Sequence, residues 1–116
     1  MPSDDRDPAY LWDMLDASER AREVVAGLQP EAFSGDEVRK LALERAMEII
    51  GEAARRVSTP FQKAHPEIPW RQIIGQRNIL AHEYGRIDHV RLYRTAKDDL
   101  PELIETLRQL LPPVKE

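Results

Sequence analysis

Residues 70–84 read WRQIIGQRNILAHEY. Trp70, Ile73, Ile74, Leu80, Ala81 and Tyr84 recur at three- and four-residue spacings, which at about 100° per residue places them on one arc of a helix. The spacing predicts a core-facing helix from Trp70 to about Glu83, with Pro69 tolerated in its first turn and Gly85 ending it. Arg77 falls near the centre of the apolar arc, and Asn78 and His82 stack on its flank. A guanidinium cannot shed its proton, so an apolar face holds one at high cost unless it is paired. Arg77 must therefore meet a carboxylate, for which Glu48 and Glu52 are candidates, reach the rim, or face a second subunit.

The flanking sequence extends the helical pattern. Tyr10, Leu11, Met14, Ala17, Ala21, Val24, Val25 and Leu28 predict a first helix over 7–28, closed by Gly27 and Pro30. Ser34-Gly-Asp-Glu37 reads as a capping box opening a second helix that runs to about Val57. Its apolar positions (Val38, Ala42, Ala46, Ile49, Ile50, Ala53 and Val57, widened by Leu43 and Met47) span an arc broad enough for more than one neighbour. Residues 58–69 hold Pro60, Pro66 and Pro69 and read as a connector with one short turn around 61–64. The last helical region begins near Asp88, is interrupted at Asp99-Leu-Pro-Glu102 with Asp99 as a fresh cap, and continues as the stripe Leu103, Ile104, Leu107, Leu110 and Leu111. No run alternates long enough for a strand. The expectation is one all-α domain over 1–116, an antiparallel bundle of four to five helices.

Composition restricts the function classes. A 41% hydrophobic content argues against disorder. Cys is absent, which excludes disulfides and thiolate metal sites. No apolar run approaches the roughly 20 residues of a membrane span, and MPSDDRDPAY (1–10) lacks the apolar core of a signal peptide. The cytoplasm is the expected compartment, with no membrane association. The net charge of −4 argues against indiscriminate nucleic-acid binding. Yet residues 70–94 carry Arg71, Arg77, Arg86, Arg91 and Arg94 against only Glu83 and Asp88, so a polyanion could be held locally.

The polar residues around 77–84 admit a purely structural reading: a buried Arg77 ion pair, hydrogen-bonded Asn78 and His82, and Tyr84 packed with its hydroxyl outward. His65 and His89 sit beside loops and are expected to be solvated. No His, Asp or Glu pairing has metal-ligand spacing, no phosphate-binding glycine loop is present, and Ser18, Ser34 and Ser58 lack a triad context.

The segment HPEIPWRQIIGQRNILAHEYGRID (65–88), flanked in order by YLWDML (10–15), ERAMEIIGEAARRVS (44–58) and DDLPELIETL (98–107), resembles the HepT-like branch of the HEPN superfamily over nearly the whole chain. That family's Arg-x4-His-x-Tyr pattern falls on Arg77, His82 and Tyr84, and Asn78 matches the polar residue after the arginine. Tyr93 stands where relatives often carry Trp, and Gly85-Arg86-Ile87 departs from the usual residues after the tyrosine. The resemblance implies a homodimeric, metal-independent endoribonuclease without a cofactor, the toxin of a toxin–antitoxin pair. Its catalytic residues would be Arg77 and His82, supported by Asn78 and Tyr84. An MNT-type nucleotidyltransferase would be its partner, silencing it by AMP transfer to Tyr84. The alternative within the same family is a non-catalytic nucleotide-binding or adaptor protein that also partners a nucleotidyltransferase.

Overall fold

The computed structural model describes residues 5–82 and 87–111. Its regular structure there is entirely helical: α1 (Asp7–Val25), α2 (Pro30–Ser34), α3 (Glu37–Arg56), α4 (Thr59–Ala64), α5 (Trp70–His82), α6 (His89–Arg94), a π-helical turn (Thr95–Asp99) and α7 (Leu100–Leu110). The long α3 is central, packing on α1 at one side and α5 at the other, while α7 lies on α1. Helices α5 and α7 make little direct contact with each other. A groove of about 750 Å³ opens between them, floored by residues such as Ile50, Ile73, Leu80 and Leu103. No described helix is long and apolar enough to cross a membrane.

The expected faces form the core, with local corrections. Met14, Ala21, Leu43, Ile50, Ala54 and Leu107 are buried in one cluster. Val38, expected to face inward, is 77% exposed, and Leu41 is exposed beside it. Helix α1 stops at Val25 rather than Leu28, because Gly27 takes φ +71°, the left-handed conformation that closes a helix without a Cβ clash. Helix α3 is capped by Asp36, whose Oδ1 accepts from the Arg39 amide at 3.0 Å. Ser34 is not the cap. It ends α2, whose one apolar anchor, Phe33, gives no periodic signal in sequence yet is fully buried. The Phe33 ring lies 5.3 Å from the ring of Tyr93, whose hydroxyl donates to the Leu28 carbonyl. Tyr93 therefore combines core packing with a polar tie between helices.

The chain does not break at Asp99. Helix α6 runs into α7 through the π turn, with the Leu100 amide donating to the Thr95 carbonyl, and Asp99 makes no side-chain capping bond. The cause is Pro101, which has no N–H to offer the carbonyl four residues back and whose ring crowds it. That carbonyl belongs to Lys97, and it accepts instead from Arg22 Nη1 of α1 at 3.0 Å, which also reaches the Ala96 carbonyl at 3.3 Å.

A second tie crosses the bundle at its other end. Asp7, at the start of α1, is buried and accepts from the Ser58 amide at 2.8 Å and the Ser58 hydroxyl at 2.6 Å. Ser58 is also the N-cap of α4, accepting from the Phe61 amide. A buried carboxylate with two donors is worth more than a neutral hydrogen bond. Asp7→Ala should lower unfolding free energy by about 2–3 kcal/mol. Urea denaturation of the two proteins checks it, and a loss below about 0.5 kcal/mol would contradict the buried tie.

Candidate active site

Helix α5 forms because Pro69 precedes it, where the missing N–H is harmless, and because Trp70 and Leu80 bury against the core. Trp70 is fixed further by its indole N–H donating to the His65 carbonyl at 2.9 Å. This seating sends Arg77 across the middle of α3, at Gly51. A Cβ built on Gly51 would lie 2.2 Å from Arg77 Cβ and 3.0 Å from the Ile73 carbonyl oxygen. Gly51 is therefore the contact point of the two helices, where only hydrogen fits. An isolated glycine inside a helix costs up to about 1 kcal/mol relative to alanine. That cost is the one hint in the sequence that another backbone passes close by.

The next residue of α3 supplies the charge partner. Arg77 Nη2 meets Glu52 Oε2 at 2.8 Å, and Arg77 Nη1 donates to Asn78 Oδ1 at 3.2 Å. Of the two carboxylates open to it, Arg77 takes Glu52, while Glu48 pairs with Arg45. Arg77 Nε is buried without an acceptor among the described residues. The guanidinium is thus gripped on its inner side, and 20% of the side chain remains exposed. Besides the buried Nε–H, it has unused donors on the terminal nitrogens, each of which carries two hydrogens and makes one contact.

Glu52 is itself a hub. Its Oε1 accepts from Arg55 Nη2 at 3.1 Å and from Arg56 Nε at 3.2 Å. The Arg55 hydrogen bond is the largest influence holding its carboxyl below the ordinary value of 4.5; the Arg56 bond and the charges of Arg55 and Arg77 add to it, and partial burial opposes it. The folded value is the lower one, so the stability this cluster supplies is present above about pH 4.5 and fades as pH falls through the folded value.

His82 closes α5, exposed, with no hydrogen bond or ion pair to another described residue. Asn78 is also exposed. Arg77 and Asn78 are thus brought together, and His82 follows on the same helix at a solvent-facing end. Tyr84 lies outside the described residues. Neither other histidine is simply solvated as expected. His65 Nδ1 contacts Glu67 at 3.0 Å with its ring 4.4 Å from Phe61, and His89 Nε2 contacts Glu44 of α3 at 2.5 Å. The carboxylates that recruit them, two and forty-five residues away, carry no pattern that links them in the sequence. No group of three or more His, Asp or Glu among the described residues is arranged to hold a metal.

Comparison with known proteins places this helical bundle in the class of HEPN ribonucleases. Within it, the chain belongs to the HepT-like ribonuclease family: the family profile described as "Ribonuclease HepT-like" matches residues 14–110. A protein of Thermococcus cleftensis named as a ribonuclease HepT is 39% identical over 94 residues, covering 81% of this chain and 86% of that one. One from Methanocaldococcus jannaschii, named as an RNase, is 35% identical over 95 residues, covering 82% and 87%. A third, from Caldanaerobacter subterraneus and also named as an RNase, is 34% identical over 102 residues, covering 88% and 91%. No solved structure gives a significant match.

Proposed function

We infer that the protein is a metal-independent endoribonuclease that acts as a homodimer and serves as the toxin of a toxin–antitoxin pair. The observation that carries this reading is the fixed Arg77 guanidinium, clamped by Glu52 and Asn78 with donors left over, on the helix that ends in solvent-facing His82. A side chain serving only as a structural ion pair needs no free donors at the surface. Ile79 and Val90 leave apolar surface exposed on α5 and α6. Burying it against a second copy would bring two such sites together.

In this scheme the RNA supplies its own nucleophile. The 2′-oxygen attacks phosphorus, and its proton passes to one His82. The P–O5′ bond breaks as the His82 of the other copy gives a proton to the departing 5′-oxygen. Histidine suits both tasks because its ordinary pKa, about 6.5, lies near neutrality. Arg77 offers fixed charge to the phosphorane oxygens, where a preorganised donor acts without rearrangement. Asn78 holds the guanidinium and Tyr84 contacts the substrate. A cognate MNT-type nucleotidyltransferase silences the enzyme by placing AMP on Tyr84, where a bulky anion repels RNA phosphates. The compartment is the cytoplasm.

Purified protein should cut RNA in the presence of EDTA, leaving 2′,3′-cyclic phosphate ends that mass spectrometry can read. Cleavage abolished by the chelator, or RNA bound and left intact, would overturn the ribonuclease scheme.

A further inference from the structure

Three guanidinium groups converge on the single Glu52 carboxylate, from Arg55, Arg56 and Arg77. One carboxylate balances one of them, so this spot carries an excess of two positive charges on a chain that is acidic in total. A network built for stability would be close to balanced, and exposed pairs contribute little in any case. The position of Arg55 and Arg56 in the last turn of α3 makes their charge tolerable there, since cations suit a helix C-terminus. It does not account for their sharing an acceptor with Arg77. Both are about half exposed, 51% for Arg55 and 56% for Arg56, so their remaining donors face solvent. Helix α5 returns along α3, with Arg77 at Gly51 and His89, beyond the end of α5, at Glu44. Arg55 and Arg56 therefore lie on the opposite side of Arg77 from His82. The order along the surface is His82, Arg77, then the Arg55–Arg56 pair.

We propose that Arg55 and Arg56 form a phosphate-binding subsite for the RNA backbone, one step beyond the phosphate that Arg77 contacts, with Glu52 as the joint between the two. The subsite rests on the reading of Arg77 and His82 as the cleavage site for its place in the reaction, but its binding is measurable without any cleavage. Guanidinium forks match phosphate oxygens in pairs. A shared carboxylate keeps the three forks at a fixed spacing while neutralising part of their mutual repulsion.

The test measures binding of a fluorescent single-stranded RNA 12-mer by anisotropy across a salt series, with full-length His82→Ala protein so that the RNA stays intact. Arg55→Gln/Arg56→Gln in that background should weaken binding at low salt and reduce the slope of log affinity against log salt by about 1.4, at roughly 0.7 per lost phosphate contact. Arg55→Lys/Arg56→Lys keeps the charge and should restore most of the slope. Arg71→Gln/Arg94→Gln removes the same charge from exposed positions that make no contact with Glu52 and should leave the slope within error of the parent. An unchanged slope in the Arg55/Arg56 glutamine pair, or an equal loss in the Arg71/Arg94 control, overturns the subsite. The two readings separate cleanly. RNA bound through Arg55 and Arg56 by a wild-type protein that cannot cut it upholds the subsite and defeats the nuclease. Active wild-type enzyme indifferent to Arg55 and Arg56 in the binding assay does the reverse.

Discussion

His82→Ala is expected to abolish RNA cleavage and to leave the protein folded. Proton transfer by a positioned side chain contributes typically about 10²–10⁴-fold. In a homodimer the substitution removes both copies, and so both the base and the acid. Single-turnover rates on a defined RNA should fall at least about 10³-fold, and the growth inhibition expected of the proposed toxin on expression should be lost with them. The fold should not notice, because His82 is exposed at the end of α5 and has no partner among the described residues. Substitutions of that kind usually stay within about 0.5 kcal/mol. Thermal unfolding of the variant alongside the wild type provides the check. Wild-type activity in purified His82→Ala removes the histidine from the mechanism. A variant that fails to fold would mean that the residue holds structure the described residues do not account for.

Gly51→Ala is expected to be nearly as damaging to activity by a different route. The added Cβ would lie 2.2 Å from Arg77 Cβ, and both atoms sit close to helix backbone, so one helix must move relative to the other. Overpacking of this sort costs about 1–3 kcal/mol, offset in part by the roughly 0.5–1 kcal/mol that alanine gains over glycine inside a helix. The net stability change is modest. The displacement of Arg77 is not, since an error of about 1 Å in a positioned group can cost about 10²-fold in rate. We expect kcat/KM to drop on that order with a melting temperature only a few degrees lower. Gly75 on α5 supplies the contrast: a Cβ there meets nothing within 4 Å. Gly75→Ala should therefore stabilise the protein by about 0.5–1 kcal/mol through helix propensity. If the two alanine variants behave alike in both assays, the close crossing does not position Arg77.

The helices with long apolar stripes are legible in the amino-acid sequence. Met14 to Ala21 and Leu103 to Leu107 repeat at helical spacing, and both stripes are buried. The features that periodicity does not reveal depend on a single residue or a distant partner. Phe33 builds α2 with one anchor and no repeat. Asp36 displaces Ser34 as the cap because α2 uses the serine for its own last turn. Val38 fits the apolar period of α3 yet faces solvent, since the period says which residues share a side and not how far along the helix a neighbour extends. At the site, spacing places Arg77 on the apolar arc with Asn78 and His82 on its flank but leaves a carboxylate, the rim and a second subunit open as its partner; the family resemblance is what singles the residues out. The choice of Glu52 over Glu48 depends on where α5 crosses, and Gly51 decides that. Arg55 and Arg56 read as ordinary helix-surface charges until the same carboxylate is seen to serve Arg77 as well.

The wide turn at Thr95–Asp99 has a consequence for sequence length. It accommodates one residue more than a regular α-helix would, and each residue advances a helix by about 100°. Deleting a residue there would remove the extra residue while leaving Pro101 in place, and every leucine of α7 would then rotate by about 100° relative to α6 and away from α1. A homologue one residue shorter in this region must compensate with a different apolar phase after the turn. Alignment of such chains should therefore be anchored on the proline and the stripe that follows it, not on the count of residues from the histidine.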